Sequence, residues 1–139
     1  MAVIESRISP TSETFQANGA AMLALVARQA SLEERARRAS AAAGPRFHER
    51  GQLLPRERMA LLLDPGAPFM ELSTLSGFMM DVPDAEKSVP GSGVIAGIGF
   101  VSGVRCMVAA SDSGIDAGAL QPMGLEKQLR VQEMALENR

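Results

Sequence analysis

Two apolar runs separated by a tight turn constrain this 139-residue chain more than any other feature of its sequence. Residues 94–101 and 105–110 are rich in β-branched and small apolar side chains, and the second run is nearly all apolar. Ser102 and Gly103 between them suit a tight hairpin turn. The sequence therefore predicts a β-hairpin whose second strand is buried on both faces.

Helical patterns flank the hairpin on both sides. Apolar residues recur at three- and four-residue steps through residues 12–45, where Ser12 is a suitable N-cap and Gly44-Pro45 a stop. This predicts a long amphipathic helix, preceded by a flexible arm over residues 1–11. The other predicted elements are a helix over 55–63, a strand over 69–73, a loop over 76–92 and a last helix over 125–138.

The last predicted helix has an apolar stripe. It comprises Leu125, Leu129, Gln132, Ala135 and Leu136. Two or three strands form only a marginal sheet by themselves, and this stripe needs a partner to cover it. We therefore expect the chain to be the first part of a larger α/β fold.

Composition excludes several classes of function. Aromatic residues make up only 4% of the chain, which leaves no stacking platform for single-stranded nucleic acid. The net charge is −2, although residues 28–58 hold eight Arg and four Glu, which are more typical of a solvated helix face than of a phosphate-binding patch. We expect no nucleic-acid partner.

The predicted compartment is the cytoplasm. The N-terminus lacks the apolar core of a signal peptide, and no helical run has the ~20 apolar residues that a membrane span needs. Cys106 is the only cysteine, so no internal disulfide can form. The mitochondrial matrix stays an alternative, although no transit peptide is recognisable.

Few residues suggest chemistry by themselves. One His and one Cys exclude a zinc site with ordinary ligands, so His48 is expected at the surface and Cys106 as a small buried hydrophobe. Gly91-Ser92-Gly93 has the letters of a dinucleotide fingerprint, but strand residues follow it where that motif needs a helix. Residues 111–118 follow a strand and precede a helix, a position that suits either a loop that binds a ligand at the edge of the sheet or a plain connecting loop.

Several separated motifs resemble the carboxyltransferase (β) subunit of biotin-dependent acyl-CoA carboxylases. They are Glu49-Arg50-Gly51-Gln52-Leu53-Leu54-Pro55-Arg56-Glu57-Arg58, Leu62-Leu63-Asp64-Pro65-Gly66-Ala67-Pro68-Phe69-Met70-Glu71-Leu72, the glycine-rich run 91–103 and Leu129-Arg130-Val131-Gln132-Glu133. The resemblance covers residues 46–139, and the preceding helix is most similar to the methylcrotonyl-CoA and geranyl-CoA branch. The predicted domains are thus an arm over 1–11, a helix over 12–45 and the start of a carboxyltransferase domain over 46–139.

The resemblance implies a crotonase-like α/β fold, a stacked β-β-α superhelix. It also implies transfer of a carboxyl group from carboxybiotin, carried by a partner subunit, to an acyl-CoA, with no cofactor held covalently by this chain. In the family the peptide N–H groups that stabilise the enolate follow the helix that ends here at Arg139. We therefore expect a homo-oligomeric enzyme with no catalytic residue and no metal within these 139 residues, which would be inactive alone.

Six residues are candidates for acyl-CoA contact in this scheme: Ser111, Asp112, Ser113, Gly114, Gly118 and Lys127. Ser113 and Gly114 would supply hydroxyl and backbone contacts, and Lys127 would complement a phosphate. Asp116 stands where the family usually has a lysine, which points to a different substrate or to altered CoA contact. Arg50, Arg56 and Arg58 are expected to brace the domain or an interface rather than to take part in chemistry.

Two alternative functions stay open. The chain could be a non-catalytic assembly or binding fragment that associates through its helices, as the uncovered leucine stripe suggests. It could also belong to a related acyl-CoA decarboxylase that runs carboxyl transfer in reverse.

Overall fold

A computed structural model describes residue 6 and residues 8–138, so most of the predicted arm (residues 1–5 and 7) lies outside the described residues. The elements are α1 (Glu13–Ala41), α2 (Gly44–His48), α3 (Pro55–Leu62), β1 (Met70–Glu71), β2 (Val94–Val101), β3 (Val104–Ser111), the 3-10 helix Asp116–Gly118 and α4 (Pro122–Glu137). These residues fall into two compact units, one up to Ser31 and the other from Leu32. No helix among them is both long and apolar enough to span a bilayer.

The predicted hairpin is confirmed as β2 and β3. The two strands pair antiparallel from Val94 opposite Ser111 to Val101 opposite Val104. Ser102 and Gly103 have φ angles of 52° and 78°, the left-handed pair that a type I′ turn requires. The turn residues thus set the register of the whole hairpin.

The central strand is β2, and it carries the core on both faces. The sheet order is β1-β2-β3, and β1 pairs antiparallel with β2. One buried cluster consists of Met59, Ile95 and Val108, and the other of Val94, Ala96 and Val131. Helix α3 therefore packs on one face of the sheet and α4 on the other.

The prediction that the second hairpin strand is buried on both faces is wrong for the described residues. Within β3 only Val108 is buried, and Val104 is 61% exposed. The strand lies at the edge of the described sheet, whereas β2 has a hydrogen-bonded neighbour on each side. Position in the sheet decides burial here, because both strands are similarly apolar.

Helix α4 buries a different face from the predicted one. It begins at Pro122, and its buried residues are Gly124, Lys127 and Val131. The predicted stripe is largely exposed, with Leu125 at 45%, Leu129 at 52% and Leu136 at 61%. Lys127 takes an inward position because its aliphatic stem is apolar and its ammonium group donates to the carbonyl of Val94, the first residue of β2.

The long helix is confirmed, with corrected ends and a corrected face. The Ser12 hydroxyl accepts a hydrogen bond from Phe15 N, as an N-cap does. The helix ends at Ala41, and Gly44-Pro45 begins α2 rather than ending α1. Several residues of the predicted apolar face (Met22, Leu25 and Val26) are more than half exposed.

Asp64 joins the end of α3 to the hairpin turn. Its Oδ1 accepts from Ser102 N at 2.7 Å and its Oδ2 from Gly103 N at 2.6 Å. Asp64 N also donates to Phe100 O at 2.8 Å. The Asp64-Pro65-Gly66 turn therefore serves as a clamp on the neighbouring hairpin.

We expect Asp64→Ala to lower the free energy of unfolding by about 1.5 kcal/mol, the low end for hydrogen bonds to a charged group. Asp64→Asn keeps one oxygen acceptor and should lose less. Urea unfolding followed by circular dichroism would measure both. Equal stability of Asp64→Ala and the wild type would show that the clamp does not hold in solution.

Candidate functional site

A cleft of about 230 Å³, here called the loop cleft, lies beside the N-terminus of α4. Three segments line it: positions within 77–89, the Ser92-Gly93 turn before β2, and positions within 115–121. The first two segments belong to the connection between β1 and β2, and the third, which includes the 3-10 helix Asp116–Gly118, connects β3 to α4. Loops held by a rigid scaffold are where binding residues most often occur.

The 76–92 loop is held from outside by Arg35 and from inside by Ser88. The Arg35 guanidinium donates to the carbonyls of Ala85 at 2.6 Å and Ser88 at 3.0 Å. The Ser88 side chain is 1% exposed, and its hydroxyl accepts from Met79 N at 2.8 Å. These contacts fix a 17-residue segment that has no helix or strand of its own.

The turn before β2 is strained. Gly91, Ser92 and Gly93 have φ angles of 98°, 53° and 63°, and Ser92 has a Cβ that disfavours this region. Gly91 N donates to Ser76 O at 2.9 Å, and Asp112 N donates to Gly93 O at 2.7 Å. The surrounding structure therefore imposes the conformation that places Ser92 in the wall of the loop cleft.

The predicted contact residues at the end of β3 lie behind the cleft. Ser111 is the exposed last residue of the strand. Asp112 is only 3% exposed, and its Oδ1 accepts from Ser40 Oγ at 2.7 Å and from Gly114 N at 3.2 Å. A Cβ on Gly114 would lie 2.6 Å from Ser40 O, so this segment packs directly on α1.

The other predicted contact residues also serve packing. A Cβ on Gly118 would lie 3.3 Å from Ser113 Cβ, so these two half-buried residues touch each other across the loop. Lys127 is 4% exposed and donates to Val94 O at 2.6 Å and Gly91 O at 3.4 Å. None of the six candidates lines the loop cleft, although their neighbours Ile115 and Asp116 do.

Lys127 belongs to a group of charges behind the cleft. Arg56 and Glu71 form a two-pronged ion pair with both N···O distances at 2.9 Å, which raises the pKa of Arg56. Burial lowers the pKa of Lys127 to about 8, with Glu71 raising it and Arg56 lowering it. Arg56 thus braces the domain as the sequence predicted.

The loop cleft itself is acidic. Asp81 and Asp116 line it, and its one cation among the described lining residues, Lys87, pairs with Asp84 at 3.4 Å. Asp116 and Ala117 both have left-handed φ angles, 46° and 54°, which cluster further strain at this edge. The cleft therefore suits neutral, hydrogen-bonding ligand groups better than phosphates.

The lone histidine and cysteine take no part in the cleft. His48 is 54% exposed and contacts Glu57 through Nε2 at 3.1 Å, which agrees with a surface role. Cys106 is half-buried and packs against the cluster that contains Met59. Within residues 6 and 8–138, no three His, Cys, Asp or Glu side chains come close enough to hold a metal ion.

Sequence reasoning missed the residues that form the cleft, Ser92 and those within 77–89 above all. The signal available in the sequence was its glycines in this region. Gly77, Gly91 and Gly93 all have left-handed φ angles in the structure. Such glycines mark sharp turns, but they do not show which turns meet in space.

Comparison with known proteins matches the carboxyl transferase domain family to residues 46–139. The Mycobacterium tuberculosis biotin-dependent 3-methylcrotonyl-coenzyme A carboxylase beta1 subunit is 47% identical over 67% of this chain and 17% of its own length. The probable mitochondrial methylcrotonoyl-CoA carboxylase beta chain of Drosophila melanogaster is 36% identical over 99% of this chain and 23% of its own.

A solved structure extends the likeness to the backbone. The beta subunit of P. aeruginosa geranyl-CoA carboxylase superposes with a TM-score of 0.89 at 50% identity, over 99% of this chain and 25% of that one. The chain thus spans about a sixth to a quarter of the length of the proteins it matches.

Proposed function

Because this chain belongs to the carboxyl transferase domain family and has its crotonase-like fold, we propose that the whole protein transfers a carboxyl group from carboxybiotin to an acyl-CoA. The observation that carries this proposal is the family match over residues 46–139, which includes every residue that lines the loop cleft. The names of the matched relatives favour a branched enoyl-CoA as the acyl group.

The proposed partners follow from the same family. Carboxybiotin would arrive on a biotin carboxylase or carrier subunit, and this chain would hold no cofactor covalently. The working enzyme would be a homo-oligomer. The cytoplasm is the proposed compartment, a location that suits a chain with one cysteine and no internal disulfide.

We propose the loop cleft as the part of the acyl-CoA site that this chain contributes. Its volume is below the roughly 300–1,000 Å³ of typical ligand pockets, so it would hold a portion of the ligand. Asp81 and Asp116 would repel the phosphates of CoA, whereas hydroxyl and amide groups of Ser92 and Gln121 suit the pantetheine arm. Ser113, Gly114 and the other residues of 111–118 would act by shaping this wall.

Blocking the cleft tests the proposal. Ala119 is exposed at the cleft, so Ala119→Trp should fill it without disturbing the core and should weaken binding of a branched enoyl-CoA at least tenfold. The matched control is Ala109→Trp, on an exposed position of β3 outside the cleft. Isothermal titration with the CoA ester and with free pantetheine would measure all three proteins.

Each result decides a separate point. If the CoA ester does not bind even at millimolar concentration, this chain contributes no acyl-CoA site. Equal binding by Ala119→Trp and the wild type would move the site away from the cleft. Carboxylation of the ester by the full subunit with carboxybiotin, rather than loss of carboxylate from a carboxylated ester, would exclude the decarboxylase alternative.

A further inference from the structure

Lys127 connects α4 to the strained turn in the wall of the loop cleft. Its Nζ donates to Val94 O at 2.6 Å and to Gly91 O at 3.4 Å, the two carbonyls on either side of Ser92-Gly93. The side chain is 4% exposed. Both acceptors are backbone carbonyls, so the ammonium group directly restrains the backbone conformation of the turn.

The turn needs such a restraint. Ser92 has a Cβ in the left-handed region, which is unfavourable unless neighbouring groups impose it, whereas Gly91 and Gly93 adopt this region readily. Gly124 leaves room on the other side, since a Cβ there would lie 2.6 Å from Ser92 O. Helix α4 therefore approaches the turn closely at Gly124 and forms hydrogen bonds with it through Lys127, about one helical turn further along.

We propose that Lys127 is a positioning residue, whose ammonium group holds the Gly91–Gly93 turn in the conformation that forms one wall of the loop cleft. Lys127 would hold this wall whether or not the cleft takes acyl-CoA. Lys127 is buried and does not line the cleft, so this role differs from the predicted phosphate contact.

The protonation state of Lys127 then determines how strongly the Gly91–Gly93 turn is restrained. The charged groups that act on Lys127 are Glu71 of β1 and Arg56 of α3, and Asp112 acts in turn on Arg56. Burial brings the pKa of Lys127 to about 8. A neutral amine makes weaker hydrogen bonds than an ammonium group, so the restraint on the turn loosens as the pH rises through that value.

Global stability changes in the opposite direction. Lys127 has an ordinary pKa of 10.5, and its pKa is lower in the folded chain. Between about pH 8 and pH 10.5 the unfolded state binds more protons, so the stability of the fold rises with pH. A purely structural lysine would show only this rise, whereas a positioning lysine also loosens the turn.

Nuclear magnetic resonance of the 139-residue chain separates these effects. The carbonyl ¹³C shifts of Gly91 and Val94 and the Cε shift of Lys127 would be followed between pH 6.5 and 9.5. The sequence has two lysines, Lys127 and Lys87, so Lys87→Met assigns the remaining Cε signal to Lys127. The same variant shows whether titration of Lys87, whose side chain is 79% exposed, affects the carbonyl shifts. Lys127→Arg keeps the charge through this range, and Lys127→Met removes it.

The expected result is a common midpoint near pH 8 for all three signals in the wild type and in Lys87→Met. The carbonyl shifts should be flat in Lys127→Arg and should stay at the high-pH position in Lys127→Met. The proposal is overturned if the carbonyls do not follow Lys127, or if they titrate equally in Lys127→Arg. The wild type and Lys127→Arg decide the matter even if Lys127→Met fails to fold.

Discussion

Gly97→Ala should destabilise the fold by about 3 kcal/mol, the upper part of the range for overpacking a core. Gly97 lies in the central strand, opposite Glu71 of β1. A Cβ at this position would collide with the Met70 carbonyl oxygen and lie 2.7 Å from the Phe69 ring. A flexible side chain could move aside, but the carbonyl is fixed by the pairing of β1 with β2.

The matched control for this substitution is Gly19→Ala. Gly19 lies inside α1, where a Cβ would meet no atom within 4 Å. Alanine favours a helix over glycine by roughly 0.5–1 kcal/mol, so this variant should be at least as stable as the wild type. Thermal and urea unfolding would compare the three proteins. Unchanged stability of Gly97→Ala would mean that β1 does not pack on β2 as described.

Arg56→Met should lower stability by about 3 kcal/mol, because it removes the guanidinium that donates to both oxygens of the Glu71 carboxylate, a side chain that is only 16% exposed. Arg56→Met/Glu71→Met removes both charges and should recover most of the loss, since an apolar pair of similar volume replaces the ion pair. The buried Nε of Arg56 has no hydrogen-bond partner among the described residues, so the loss of this one nitrogen leaves no acceptor unsatisfied.

The control for Arg56 is its near neighbour Arg58. That side chain lies on the exposed face of the same helix, so Arg58→Met should change stability by less than about 0.5 kcal/mol. Urea unfolding of the four proteins provides the comparison. A double variant as unstable as Arg56→Met would show that the arginine acts through packing rather than through its charge.

The hairpin and the long helix were predictable because their signals are local. Ser102-Gly103 between two β-rich runs and Ser12 before a helical period each act within a few residues. The start of α4 at Pro122 was missed because Gly124, a poor helix former, lies in its first turn. That glycine is needed for contact with Ser92, so tertiary packing overrides propensity there.

The candidate site was less predictable, since it joins segments far apart in the chain. Residues 77–89 have no periodicity, and their position depends on Arg35, about 50 residues earlier. Asp112 and Lys127 carry the chemistry that suggests ligand contact, yet both are buried, because the Asp112 carboxylate accepts from the Ser40 hydroxyl and the Lys127 ammonium group donates to Val94 O. Motifs over residues 46–139 indicated the family without showing which side chains face the cleft.

The hairpin of β2 and β3 also bears on the order in which this chain folds. Its strands are joined by two residues, so pairing closes a short loop and can form in about 1–10 μs. Strand β1 reaches β2 only after 22 intervening residues close on themselves, at a larger entropic penalty. We therefore expect the hairpin to form before β1 joins the sheet, and the cleft-forming segment between β1 and β2 to be organised after it.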